Sequence, residues 1–138
     1  MKTAVGATGA EKEQKTRQFA IDAARLAANT RCHNVVLLDV RGISPVTDYM
    51  VLATGTSPRQ MRTVCDDLAE MAQEQYKEQP LSEDVDQSEN WMLIDFVDVV
   101  LHVFSQDARQ FYDLDSLWGD AKVVDWANGA PDTTAKRS

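Results

Sequence analysis

Two short segments of the sequence carry side chains whose types and spacing are suited to chemistry. Residues 54–59 contain Gly55 and Ser57 and lead into a helical pattern. A glycine-containing turn before a helix directs free backbone N–H groups outward, and such groups bind phosphate. Asp95 and Asp98 form a pair of carboxylates, which can hold Mg²⁺ or perform acid–base catalysis. Together these residues predict, as one hypothesis, a small enzyme that handles a nucleotide or a phosphate.

The same residues also have simpler structural explanations. No GxxxxGKS/T or GxGxxG motif is present, and most strand-to-helix turns need the capping residues that Ser57 and Pro58 supply. Residues three apart in a strand point to opposite faces, so Asp95 and Asp98 converge only if a turn bends the chain. His102 lies among apolar residues, which is typical of a hydrogen-bonded core histidine. The enzyme is therefore the alternative hypothesis, and we predict no cofactor and no metal site.

The segment that begins at Trp91 is a richer candidate, as a binding surface. Successive side chains of a strand alternate between its two faces. One face carries Trp91, Leu93 and Asp95, and the other carries Met92, Ile94 and Phe96. A tryptophan surrounded by acidic residues has the composition of an interface hot spot. The alternative is an ordinary half-buried tryptophan that closes the core.

These segments lie in a chain whose hydrophobic pattern switches between helical and strand periods. Its 138 residues are 43% hydrophobic and 26% charged, which is typical of one globular domain. The pattern predicts a helix, two strands, a helix, two strands and a helix, with room for an edge strand near Leu81. We therefore expect an α/β domain over residues 11–121, with a mixed sheet of four or five strands flanked by helices. Residues 1–10 are predicted to be a disordered tail and residues 122–138 a flexible one.

The charge of the chain narrows the class of partner. Fourteen basic and 22 acidic residues give a net charge of −8, and residues 66–89 contain nine acids against Lys77 alone. Such a surface repels phosphates, so direct nucleic-acid binding is disfavoured and a basic protein partner is expected. The longest stretch without a charged residue, 49–58, is too short for a membrane span. Residues 1–10 lack the apolar core of a signal peptide, and Cys32 and Cys65 form no CxxC pair, so we expect a reducing compartment and no disulfide.

Four blocks of the sequence resemble one known family. They are VLLDVRGIS (36–44), TDYMVLATGTS (47–57), WMLIDFVDVVLHVF (91–104) and RQFYDLDSLW (109–118). In order and spacing they are similar to the ribosomal silencing factor family, also called iojap-like, and the resemblance covers residues 19–121. One departure concerns the hairpin turn, where the family usually has glycine and this chain has Val97. Valine tolerates a positive φ badly, so this turn must either differ or be strained.

The resemblance implies a non-enzymatic protein with a nucleotidyltransferase-like α/β fold that lacks the catalytic carboxylates. Members of the family bind the large ribosomal subunit through ribosomal protein uL14 at the intersubunit face. There they block the small subunit from joining and repress translation when nutrients are short. We therefore expect a cytoplasmic ribosome-binding factor that forms a homodimer and has no membrane or specific nucleic-acid partner. The partner-binding residues that we predict are Trp91, Met92, Asp95, Phe96, Asp98 and His102.

Overall fold

The computed structural model describes residues 9–129 and 132–134, and in this part of the chain seven strands form one mixed sheet. In chain order the elements are α1 (Gly9–Asn29), β1 (His33–Asp39), β2 (Tyr49–Thr54), α2 (Pro58–Met71), a π-helical turn (Ala72–Tyr76), β3 (Ser82–Val85), β4 (Trp91–Asp95), β5 (Val99–Phe104), α3 (Gln106–Tyr112), α4 (Leu114–Leu117), β6 (Lys122–Val124) and β7 (Thr133–Thr134). The strand order is β3-β4-β5-β2-β1-β6-β7. The central strand β2 is parallel to β5, antiparallel to β1 and buried throughout. The mixed α/β fold is therefore as predicted.

The helices α1 and α2 cover one face of the sheet and bury the larger core. Helix α1 contributes Phe19 together with a row of buried alanines, whose small side chains let the helix approach the strands closely. Helix α2 begins as predicted, because Ser57 Oγ accepts the Gln60 N–H at 3.1 Å and Pro58 is the first helical residue. No helix in the described part of the chain has the length and hydropathy of a membrane span.

The opposite face of the sheet carries a smaller apolar cluster. Leu52 of β2 and Phe104 of β5 are buried there against Ala108 of α3, with Trp91 and Trp118 packed around them. The two short helices α3 and α4 cover only part of this face, so Trp91, Leu93 and Asp95 of β4 are only half-buried there. The partly covered face is where a surface site can form.

The sheet is larger than the four or five strands we predicted, because it gains short strands at its edges. Strand β3 lies within the acidic connection, next to Leu81. Strand β6 pairs with β1 and so lies beyond Ala121, in the segment predicted to be a flexible tail. The Trp126 indole anchors that segment by donating to the Val35 carbonyl at 3.1 Å. Helix α1 also begins at Gly9, two residues early; residues 1–8, 130–131 and 135–138 lie outside the described residues.

The turn between β4 and β5 holds Val97 in the left-handed region, at φ = +77°. The Asp98 N–H donates to the Phe96 carbonyl at 3.0 Å, and the Val97 N–H donates to Asp95 Oδ1 at 2.7 Å. The first of these bonds closes a γ-turn centred on Val97, in which the branched Cβ of valine crowds the backbone. The turn is therefore strained, which is one of the two outcomes expected for valine at this position.

Candidate functional site

The β4–β5 hairpin separates the predicted partner-binding residues onto two faces of the sheet. Met92 and Phe96 are 1% and 5% exposed and lie in the larger core beneath α1 and α2. The prediction that these two residues contact a partner is therefore corrected: they are buried core residues that support the hairpin from within. Trp91 and Asp95 are half-buried on the opposite face, beside the His102 strand. The alternation along β4 was predicted correctly, and the structure shows which of its faces is the core.

Trp91 is the centre of a group of rings on the partly covered face. Its ring centroid lies 5.2 Å from that of Phe104, 4.7 Å from that of Tyr112 and 5.8 Å from that of His102. The Tyr112 ring continues the group to Phe111, at 5.1 Å in an edge-to-face arrangement. We call these five residues, Trp91, His102, Phe104, Tyr112 and Phe111, the aromatic face. Its ring pairs are tilted or edge-to-face, except that His102 and Phe104 are stacked with centroids 5.9 Å apart.

His102 serves this group as a hydrogen-bond acceptor. The Trp91 indole Nε1 donates to His102 Nδ1 at 3.1 Å. Burial lowers the pKa of His102 to about 4, although the nearby Asp95 carboxylate acts in the opposite direction. The imidazole is therefore neutral at pH 7, with its proton on Nε2 because Nδ1 accepts. A neutral, buried histidine that holds a tryptophan is a positioning residue, as its apolar sequence surroundings indicated.

The loop before β4 fixes the entry of Trp91 into the sheet. Asp86 Oδ1 accepts the N–H of Asn90 at 2.8 Å and the N–H of Trp91 at 3.1 Å. The Ser105 N–H donates to the Asn90 carbonyl at 2.8 Å, which ties this loop to the start of α3. Because these hydrogen bonds fix the backbone at Asn90 and Trp91, the Trp91 ring is carried by a rigid element.

The exposed end of the aromatic face was not predicted from the sequence. Phe111 is 82% exposed, Leu117 is 70% exposed and Tyr112 is 43% exposed. One feature of the sequence could have indicated this exposure: adjacent residues of a short helix point in different directions, so they cannot all face the sheet. Large apolar side chains left exposed side by side indicate an interaction surface.

Arg109 anchors the helices that carry this exposed end, a role that was not predicted from the sequence. Its Nε and Nη2 donate to the Asp115 carboxylate at 2.9 Å each, while its Nη1 donates to the Asn34 carbonyl at 2.8 Å and to Thr54 Oγ1 at 3.0 Å. The guanidinium beside Asp115 lowers the pKa of that carboxyl. One side chain thus joins α3, α4 and the sheet in a bidentate arrangement.

The residues of the alternative enzymatic hypothesis lie at opposite ends of β5. The Gly55 N–H donates at 2.7 Å to the carbonyl of Phe104, the last residue of that strand. Asp98 directly precedes the first residue of β5, and Asp95 pairs with Val100 near the same end. A six-residue strand is about 20 Å long, so these side chains do not converge on one substrate. The constellation Gly55, Ser57, Asp95 and Asp98 is therefore corrected: it is not one active site.

The strand-to-helix turn at Gly55 also has its N–H groups occupied by the protein itself. The Thr56 N–H donates to Gln60 Oε1 at 2.9 Å, and the Gln60 N–H donates to Ser57. This is ordinary helix capping. Within the described ranges, no group of three or more His, Cys, Asp or Glu side chains is placed to hold a metal ion.

Comparisons with known proteins identify close sequence similarity along the chain. A family model described as "Ribosomal silencing factor during starvation" matches residues 13–138. The chain is 38% identical to the ribosomal silencing factor of Halalkalibacterium halodurans, over 81% of this chain and 92% of that protein. It is 36% identical to the ribosomal silencing factor of Bacillus subtilis, over 75% and 86% respectively. The chloroplastic Iojap protein of Arabidopsis thaliana is 26% identical, over 83% of this chain and 48% of that protein.

Solved structures show the same fold. A crystal structure of a protein from Chromobacterium violaceum matches with a TM-score of 0.67 and 27% identity, over 77% of this chain and 85% of that one. A second crystal structure, of a protein from Bacillus halodurans, matches with a TM-score of 0.62 and 33% identity, over 76% and 94%. The similarity in sequence and the similarity in fold thus cover most of the same chain.

Proposed function

Because the chain belongs to the ribosomal silencing factor family, we propose that it binds the large ribosomal subunit through ribosomal protein uL14 and blocks the small subunit from joining. The block is steric: a folded domain on the intersubunit face occupies space that the small subunit needs. Translation is thereby repressed when nutrients are limiting. The relatives carry the names of silencing factors, which agrees with a regulatory role rather than a catalytic one. A cytoplasmic location follows from the ribosome as target.

The observation that carries the choice of surface is the aromatic face. Its inner rings are held by the Trp91–His102 hydrogen bond and by packing, so little conformational entropy is lost when a partner covers them. Its outer rings, Phe111 and Tyr112, are exposed, and Tyr112 lies between Phe111 and Trp91. Rigid aromatic anchors at the centre of a contact typically dominate binding energy. We therefore infer that Trp91 and Phe111 make the central contacts with the ribosomal protein.

Acidic residues border this surface and suggest the charge of the partner. Asp84 on β3 lies opposite Leu93, and Asp95 ends β4 on the same face of the hairpin. Both belong to a chain of net charge −8. A basic protein surface complements this border, and attraction between the two raises the association rate. Asp98, the remaining predicted contact, lies at the tip of the hairpin, where its carbonyl accepts the N–H groups of Asp48 and Tyr49 at 3.0 Å each.

The chain also forms a homodimer in this proposal. Support comes from the resemblance and from the edge strand β3, because Val85 in this strand and Leu81 directly before it are 49% and 71% exposed. An exposed edge with apolar side chains can pair with a second copy. Sedimentation velocity over a range of protein concentrations tests this part: a constant monomeric sedimentation coefficient would contradict it.

The central experiment is co-sedimentation of the full chain with separated ribosomal subunits. We expect the chain to pellet with large subunits and not with small ones, and to reduce the fraction of joined ribosomes when both are mixed. A hot-spot contact contributes about 2 kcal/mol, so Trp91→Ala should weaken docking by about 30-fold. Association should also weaken as salt rises, because screening shortens the reach of charges to about 8 Å at physiological ionic strength.

A matched control separates loss of docking from loss of folding. Trp118→Ala removes a tryptophan that packs on the same face of the sheet, beside the smaller core cluster rather than among the rings around Trp91. We expect it to lower the melting temperature while leaving ribosome binding of the folded fraction unchanged. A folded Trp91→Ala protein that still pellets with large subunits and still prevents joining would contradict the proposed surface. Failure of the parent chain to pellet would contradict the proposed target.

A further inference from the structure

A recess lies on the face of the sheet opposite to the aromatic face, between α1 and the β4–β5 turn. It has a volume of about 160 Å³. Three rings form its apolar lining: Phe19 lies 5.0 Å from Phe96 in an edge-to-face arrangement and 4.9 Å from Tyr76. Phe19 and Phe96 are core residues, so the recess opens onto the core beneath α1. Nothing in the proposed ribosome contact uses these residues.

The size of the recess limits what it can hold. A cavity of about 150 Å³ takes up one benzene molecule, whereas typical drug-sized ligands need roughly 300–1,000 Å³. The recess therefore accommodates one ring or one branched aliphatic group, and it is too small for a nucleotide. Its ring-lined floor suits an apolar group in particular.

The recess is lined by charged residues of both signs, which come from different elements. Lys12 and Lys15 are three residues apart on α1, so they lie on the same side of the helix. Glu78, which follows the π-helical turn, and Asp98, in the hairpin turn, line the recess from the other elements. Within the described residues, none of these four side chains has an ion-pair partner within 4.0 Å. A ligand with one charge would therefore be attracted by one pair and repelled by the other.

We propose that this recess binds a free α-amino acid with an aromatic side chain. The ring of the ligand enters the recess and packs against its lining of Phe19, Tyr76 and Phe96. Its carboxylate faces the two lysines, and its ammonium faces Glu78 and Asp98. A zwitterion satisfies both pairs at once, which neither a simple anion nor an apolar molecule does. Binding requires no ribosome, so this site is independent of the function proposed above.

The test is a titration of the full chain with L-phenylalanine, followed by two-dimensional ¹H–¹⁵N NMR. We expect saturable shifts confined to amides that border the recess, such as those of Thr16 and Val99. The dissociation constant should be on the order of 1 mM, which is what a ligand of about a dozen heavy atoms reaches at ordinary efficiency. N-acetyl-L-phenylalanine lacks the ammonium and L-phenylalaninamide lacks the carboxylate. Each should bind about fivefold more weakly, as loss of one exposed ion pair implies.

Substitutions on the protein side complete the test. The double substitution Lys12→Gln and Lys15→Gln should weaken binding of L-phenylalanine about fivefold or more. Lys122→Gln, at an exposed lysine on β6 away from the recess, is the matched control and should leave binding unchanged. Three outcomes would each overturn the proposal: no saturable shift at millimolar ligand, shifts outside the recess, or equal binding of phenylalanine and its two capped analogues. Ribosome co-sedimentation is unaffected by any of them, so the two proposals fail separately.

Discussion

The indole N–H of Trp91 donates to Nδ1 of His102 across the β4–β5 pair, although the two residues are not opposite each other. Trp91 is paired with Phe104, and His102 is paired with Leu93, so the contact is diagonal. Diagonal neighbours in a sheet are roughly 7–8 Å apart, a distance that long or aromatic side chains can bridge. The bond therefore sets the orientation of the ring that we propose as the anchor for the ribosomal protein.

Removal of the Trp91 indole N–H, which donates to His102, should lower the free energy of unfolding. Trp91→Phe keeps an aromatic ring but leaves the buried Nδ1 of His102 without its partner, and an unsatisfied buried acceptor costs about 1–3 kcal/mol. In a His102→Leu background Trp91→Phe should destabilise the protein less, because no buried acceptor is left without a donor. Urea denaturation of the four proteins of this cycle measures the difference. Equal costs of Trp91→Phe in both backgrounds would show that the bond contributes nothing.

The stability of the protein should fall between pH 7 and pH 5 because of His102. Burial lowers its pKa to about 4, whereas an unfolded histidine titrates near 6.5. Above pH 6.5 neither state binds this proton, and the full stability is present. As the pH falls, the unfolded state takes up the proton first, so unfolding becomes easier by about 2 kcal/mol at pH 5. The loss ends below pH 4, where both states are protonated.

Denaturation at several pH values, compared among variants, checks this assignment. His102→Gln cannot titrate and should remove most of the pH dependence between pH 7 and pH 5. His33→Gln is the matched control, because His33 is exposed at the start of β1, and it should keep the pH dependence of the parent. If the two variants behave alike, His102 is not the group responsible.

The parts of the fold that were predicted correctly are those with a strong local signal. The apolar runs of β1 and β2 mark buried strands, and Ser57 with Pro58 marks the start of α2. Strands β3 and β6 have only four and three residues, too few to show a hydrophobic period, so their pairing depends on backbone hydrogen bonds to other strands of the sheet. Pairing of this kind cannot be predicted from the hydrophobic pattern of so short a segment.

For the candidate site, too, the local pattern gives the alternation of side chains along β4 but not which face of the strand is exposed. Alternation along β4 separates Trp91 from Met92, but which of them faces the core depends on where α1, α2 and α3 pack. That is tertiary information, and for this reason Met92 and Phe96 were included among the contacts. The exposure of Phe111 follows from how little of the sheet the short helices α3 and α4 cover, which no local pattern reports.

Relief of the strained hairpin turn should stabilise the protein. Val97 has φ = +77°, a conformation that glycine adopts readily and valine does not. Strain of about 1–3 kcal/mol is offset in part by the entropy that glycine loses on folding, so Val97→Gly should raise stability by about 1 kcal/mol. Val85→Gly, at a valine that is similarly exposed but not at positive φ, should instead destabilise. Chemical denaturation that ranks both variants below the parent would contradict the strain argument.

The sharpest test of the aromatic face concerns Phe111, because its ring is 82% exposed and contributes little to the core. Its ring contacts Tyr112, which in turn contacts Trp91, so it lies on the surface proposed for the ribosomal protein. Phe111→Ser should leave the melting temperature within about 2 °C of the parent, as most surface substitutions do.

The same variant should weaken co-sedimentation with large subunits by about tenfold, the loss expected when one interface aromatic is removed. Val46→Ser is the matched control. Val46 is 76% exposed, in the connection between β1 and β2, and does not border the aromatic face. It should therefore leave docking unchanged. Equal docking of the two variants would remove Phe111 from the interface and restrict the contact to Trp91 and its immediate neighbours. A loss of docking in Val46→Ser alone would move the interface to the other end of the sheet.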